Sequence, residues 1–146
     1  TITYGQTASR SREAPSQGGG SDLAGLSVLC LDNDPLILDG MQQLLTTMGA
    51  HTTVVAGREE LFAACSGNQR PDIILADYHL DGGDTGLNAV LDLRQRDGRS
   101  IPCVIISADD SDVIKDRAKA VGFRFLAKPV HAARLRALIL ALTANS

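Results

Sequence analysis

No stretch of this sequence concentrates positive charge. The 146 residues carry 14 Lys and Arg against 17 Asp and Glu, a net charge of −3. A surface built to neutralise phosphates needs clustered cations, so direct nucleic-acid binding is not expected. No apolar run approaches the ~18 residues needed to span a bilayer, and no segment of signal-peptide character opens the sequence. Direct membrane contact is therefore not expected either. The three cysteines, Cys30, Cys65 and Cys103, lack the paired spacing of a metal site. An odd number of thiols on apolar segments reads as reduced, buried core residues of a cytoplasmic protein. Acids are also missing from the end of the chain, with none after Asp116.

What is present suits one domain: 44% of residues are hydrophobic and 21% charged, enough to bury a core. Residues 1–22, TITYGQTASRSREAPSQGGGSD, are rich in Ser, Gly, Gln and Thr without apolar period. They read as a flexible linker or a cloning remnant, with the globular domain at 23–146. Its last periodic apolar residue is Leu142, and no output domain is expected beyond it.

From Leu26 the chain alternates between two kinds of segment. Short apolar runs predict strands at 27–31 (SVLCL), 52–56 (TTVVA), 72–76 (DIILA), 103–107 (CVIIS) and 124–127 (RFLA). Helical stripes lie between and after them. The first comprises Ile37, Met41, Leu44, Leu45 and Met48, ended by Gly49; the second, Leu61, Phe62 and Cys65; the third, Leu87, Val90 and Leu91. The fourth comprises Val113, Ile114, Ala118 and Val121, closed by Gly122, and the fifth Leu135, Leu138, Ile139 and Leu142. Strands apolar on both faces, each followed by a helix, predict a doubly wound α/β sandwich around a parallel five-stranded sheet. Ligands of such sheets bind beyond the carboxyl ends of the strands.

Those ends carry the chemistry. The stretch VLCLDNDP runs from apolar residues into Asp32, Asn33 and Asp34, and then Pro35. The third run ends beside Asp77, the fourth on Ser107, and the fifth delivers Lys128 and Pro129. Each has an ordinary structural reading. Asp34 before a proline is an N-cap with Pro at N1. Asp77 could begin a turn, Ser107 could cap the fourth helix, and Lys128 could be a solvated surface lysine. Together, two carboxylates, an amide, a hydroxyl and an ammonium converge on one rim. Clustered oxygens suit a hard divalent cation such as Mg²⁺. A cation and a lysine beside a carboxylate let it approach a phosphoryl group without prohibitive repulsion.

The segments LCLDNDP, ILADYHL, VIISAD and FLAKP resemble the receiver domain of two-component response regulators, in order and spacing over residues 26–142. The resemblance implies a flavodoxin-like (βα)₅ fold with strand order 2-1-3-4-5. It implies Asp77 as phosphoacceptor, fed by a phosphohistidine on a histidine kinase or a histidine phosphotransfer protein. It further implies Mg²⁺ (or Mn²⁺) held by Asp32, Asn33, Asp77 and the backbone carbonyl of His79. Ser107 and Lys128 match the family's hydroxyl and lysine positions, and the Lys128–Pro129 peptide would be cis. Phe125 matches the switch aromatic, against the simpler reading of a permanently buried core ring. Receivers usually carry an acid where Asn33 stands. An amide there removes a contact of roughly 1–4 kcal/mol and implies weak metal affinity. DNDP with ADYHLDGG is most similar to the C-terminal receivers of hybrid sensor histidine kinases; a free-standing regulator, monomeric or weakly dimeric, is the other form.

Two other readings compete. LDNDP also resembles the DxD motif of haloacid-dehalogenase-type phosphatases, but those need late acids and a cap insertion, and Asp77 would have no role. A pseudo-receiver that binds a partner without phosphorylation draws some support from Asn33. The conspicuous remainder reads as structural. His51 begins the second strand at a surface or edge, and His131 lies in the first turn of the last helix. Asp109, Asp110 and Asp112 are capping and first-turn charges, and Gly82, Gly83 and Gly86 supply turn conformations of positive φ.

Overall fold

The computed structural model describes residues 22–66, 70–98 and 100–144. The expected linker at 1–22 lies outside them except for Asp22. Five strands form one parallel sheet in the order β2-β1-β3-β4-β5: β1 (Ser27–Leu31), β2 (His51–Val55), β3 (Ile73–Asp77), β4 (Cys103–Ser107) and β5 (Arg124–Ala127). Five helices follow them in turn: α1 (Pro35–Thr47), α2 (Arg58–Ala64), α3 (Gly86–Asp97), α4 (Asp112–Ala120) and α5 (Ala132–Thr143).

Strand residues point alternately to opposite faces, which divides the core into two layers. Val28, Cys30, Ile73, Leu75, Val104 and Ile106 pack with Leu38 and Leu45 of α1 and Leu135 and Ile139 of α5. Leu29, Leu31, Ile74, Ala76, Cys103 and Ile105 face Leu61, Leu87, Val90, Ile114 and Ala118 of α2, α3 and α4. Central strands are buried on both faces, whereas the edge strands β2 and β5 keep exposed positions. All three cysteines are free and buried. Burial, then the Asp32 charge, pushes the Cys30 thiol up to about 12, and burial also raises Cys65 and Cys103. Such thiols pack as small hydrophobes.

Helix ends follow local chemistry. The Asp34 carboxylate accepts from the Leu36 amide as Pro35 opens α1, and Thr85 accepts from Asn88 at the start of α3. Gly98 ends α3 at φ 74°, and Gly122 follows α4 at φ 83°.

Several expectations shift by a residue or two. β2 runs from His51 to Val55, one residue ahead of the 52–56 run; His51 opens it exposed, as expected, and its amide donates to the Leu26 carbonyl. β3 begins at Ile73, one residue later than expected, although Asp72 already meets Ser27 through both its amide and its carboxylate, and it extends through Asp77, which pairs with Ile106. Ile37 and Val113 fall outside their buried stripes at 37% and 58% exposure, while Leu38 and Ile114 take the inward positions. His131 is the N-cap position of α5 rather than part of its first turn.

Candidate functional site

Parallel register brings the strand ends level. Asp77 pairs with Ile106, and Ser107 pairs with Ala127. The Lys128 amide donates to the Ser107 carbonyl, and the Asp32 amide donates to the Val55 carbonyl. Asp32, Asp77, Ser107 and Lys128 therefore arrive on one rim from four strands. The first three are buried, Ser107 almost completely.

Lys128 Nζ lies 3.2 Å from Asp77 Oδ1 and 3.6 Å from Asp32 Oδ2. The Lys128–Pro129 peptide is cis. Burial holds the Asp77 carboxyl above the usual carboxylate range, and the like charge of Asp32 adds to the effect; Lys128 opposes both without cancelling them. Asp77 is thus a buried carboxylate at the end of a central strand, with little water around it and a raised proton affinity. A cavity of about 30 Å³, room for roughly one water, separates Asp32, Asp77 and Lys128 from Ile37, Leu38 and Met41 of α1.

Asp32 Oδ1 accepts from the Asp34 amide at 2.9 Å, which fixes the turn into α1. Asn33 does not turn its amide nitrogen toward Asp32 or Asp77: Nδ2 donates to Asp81 Oδ1 at 2.8 Å, across to the loop after β3. Ser107 Oγ accepts from the Asp109 amide at 3.0 Å; the N-cap position of α4 is Ser111, whose side chain makes no cap hydrogen bond. Asp109 in turn accepts from the Ser111 amide. His79 pairs with Thr85 in an isolated antiparallel bridge, and its ring meets Tyr78 edge-on at 4.9 Å. Phe125 is half-buried against the layer under α2–α4, with Lys115 Nζ 5.8 Å from its ring centroid.

The donor chemistry fits a hard divalent cation in part. Two adjacent carboxylates face a single ammonium, which leaves surplus negative charge where burial has removed water. Among the described residues no group of three or more His, Cys, Asp or Glu is arranged to hold a metal. Any cation here would complete its shell with neutral oxygens such as a backbone carbonyl and water.

Some contributors carry no sequence signal. Gly86 has an ordinary φ, contrary to the turn role expected of it. It is glycine because a Cβ there would stand 2.1 Å from the Asp77 carbonyl oxygen. Gly82 and Gly83 do adopt positive φ, 72° and 79°. Asp81 becomes a partner of Asn33 only through the tertiary fold. So does Arg58, which binds both oxygens of Asp84 and also reaches Asp92. Tyr78, next to Asp77, is buried and accepts at its hydroxyl from Arg117 of α4 at 2.8 Å.

Residues 28–140 match the family model for the response regulator receiver domain. The chain is 31% identical over 113 residues to the phyllosphere-induced regulator PhyR of Methylorubrum extorquens, covering 77% of this chain and 41% of that protein. It thus spans less than half of this curated relative. The receiver domain of a sensor histidine kinase from Pseudomonas aeruginosa, solved with a magnesium ion coordinated in its active-site cleft, superposes with a TM-score of 0.72 at 24% identity, covering 83% of this chain and 99% of that one. The beryllofluoride-activated receiver domain of nitrogen regulatory protein C gives a TM-score of 0.67 at 25% identity, covering 84% of this chain and 96% of that one.

Proposed function

Because this chain belongs to the response regulator receiver domain family, we propose that Asp77 accepts a phosphoryl group from a phosphohistidine and that the domain relays this charge as a signal. The observation that carries the reading is the buried Asp77 carboxylate at the end of β3, with Asp32 beside it and Lys128 Nζ at 3.2 Å.

An Asp77 oxygen attacks phosphorus as the P–N bond breaks. The bonding pair returns to the imidazole nitrogen, and an acyl phosphate forms. Burial and Asp32 raise the proton affinity of Asp77, so it must be ionised before it attacks. The Lys128 ammonium offsets charge on the transferred oxygens, and the Ser107 hydroxyl donates to one of them after leaving the Asp109 amide. Asp32, Asn33, Asp77 and the His79 carbonyl would hold Mg²⁺ or Mn²⁺, which supplies neutralisation of the phosphoryl oxygens when bound. Movement of Ser107 would open space beside Phe125, whose partial burial leaves it room to turn and remodel the face of α4, β5 and α5.

On this reading the domain is not itself an enzyme beyond self-catalysed phosphotransfer and dephosphorylation. Its partners are a histidine kinase or phosphotransfer protein. We place it in the cytoplasm, as the receiver of a hybrid kinase or a free-standing regulator, monomeric or weakly dimeric. No helix among the described residues is long and apolar enough to cross a membrane.

Intact mass after incubation with acetyl phosphate and Mg²⁺ tests the assignment. One phosphoryl adduct is expected in the wild type and none in Asp77→Asn. Equal labelling of that variant would overturn it.

A further inference from the structure

The loop between β3 and α3 is closed upon itself and held at two points. Within it, the Leu80 amide donates to the Asp84 carbonyl at 3.0 Å and the Asp84 amide to the Asp81 carbonyl at 3.4 Å. His79 and Thr85 bridge its base, and Gly82 and Gly83 make its turn at positive φ. At one side Arg58 grips both Asp84 oxygens, at 3.0 and 2.9 Å, while its guanidinium lies 5.9 Å from the Phe62 ring centroid. At the other side Asp81 accepts from Asn33, the residue that follows Asp32 in the turn after β1.

We infer that Asn33 and Asp81 form a clasp across the mouth of the phosphoryl site, and that Asp81 is a positioning residue for phosphorylation of Asp77. The inference rests on the reading of Asp77 as phosphoacceptor. It also gives a physical reason for the amide at position 33. Asn33 offers Asp81 a proton, whereas a carboxylate at 33 would set two negative charges within hydrogen-bond distance. Arg58 fixes the far end of the loop through a bidentate pair, so the free choice lies at the Asp81 end. The clasp joins the turn that carries Asp32 to the loop that begins at Asp77. It thereby holds the two carboxylates of the site in one mutual arrangement.

Amide exchange measured by NMR in metal-free buffer tests the clasp without any phosphoryl donor. Protection of the Leu80 and Asp84 amides is expected to fall roughly fivefold in Asp81→Ala and in Asn33→Asp, the size of one hydrogen bond. The exchanged pair Asn33→Asp with Asp81→Asn, in which donor and acceptor trade places, is expected to recover it. Unchanged protection in the single variants, or no recovery in the exchanged pair, overturns the clasp. Initial labelling of Asp77 by acetyl phosphate at saturating Mg²⁺ then tests positioning. A loss of about threefold is expected in Asp81→Ala, with recovery in Asp81→Asn, which keeps an acceptor oxygen. Equal rates in all three would leave the clasp purely structural and overturn its role in the reaction. If the wild type is not labelled at all, the phosphoacceptor reading fails while the exchange result stands.

Discussion

Gly86 stands where no side chain has room. A Cβ there would meet the Asp77 carbonyl oxygen at 2.1 Å and the Ala76 Cβ at 3.1 Å. Its amide donates to the Tyr78 carbonyl at 2.8 Å, so α3 begins pressed against the end of β3. Gly86→Ala should therefore cost about 2–3 kcal/mol in urea unfolding and slow Asp77 labelling, since relief can come only by moving the strand end. Asp77 itself yields a pH prediction. Its folded proton affinity is raised, by burial first and Asp32 second. A carboxyl raised on folding favours the fold below its unfolded pKa of about 3.9, and that contribution is lost as pH rises through the higher folded value. At neutral pH the ionised Asp77 is thus a net burden on the fold. Asp77→Asn is expected to raise the thermal midpoint at pH 7 and to lose that advantage at pH 3. A variant that melts lower than wild type at pH 7 would mean that the Lys128 pair outweighs burial.

At the scale of the element, α1 and α4 connect the rim to the rest of the fold. α1 starts on the Asp34 cap, and Asp34→Ala should cost about 1 kcal/mol without abolishing phosphorylation, as chemical denaturation beside a labelling assay would report. α4 is tied to the strand that delivers Asp77 by the bond from Arg117 to the Tyr78 hydroxyl. Tyr78→Phe keeps the ring and removes the acceptor. Its expected cost is roughly 0.5–1.5 kcal/mol of stability, with the α4 amide resonances shifted and those of α1 unmoved. Equal shifts in both helices would place the coupling elsewhere.

At the scale of the whole molecule, a ligand that binds the folded rim alone must stabilise the entire domain. If Mg²⁺ occupies the site, raising its free concentration to ten times Kd adds about 1.4 kcal/mol to unfolding, and a chelator removes it. Calorimetry with and without Mg²⁺ should show this rise in the wild type and lose most of it in Asp32→Ala. The concentration needed should be high, because Asn33 contributes no charge to the site. A metal-induced shift of equal size in Asp32→Ala would move the cation off this rim.

Much of this was written in local pattern. Apolar runs separated by helical stripes specify alternating strands and helices, because burial on two faces leaves no room for polar residues in a central strand. The pair Asp34–Pro35 specifies a helix start, since a carboxylate cap and a residue without an amide proton act within one turn. The acids, hydroxyl and lysine at strand ends were legible for the same reason: a parallel sheet must put successive carboxyl ends on one edge. Contacts set by approach between distant segments were not legible. Asn33 meets Asp81, Arg58 meets Asp84 and Arg117 meets Tyr78 across separations of 48, 26 and 39 residues. No periodicity encodes such pairs, because each depends on how two loops or a helix and a strand come to rest. The role of Gly86 was hidden likewise, since the atom that excludes a side chain belongs to a strand nine positions earlier, which only the packed structure brings within 2.1 Å.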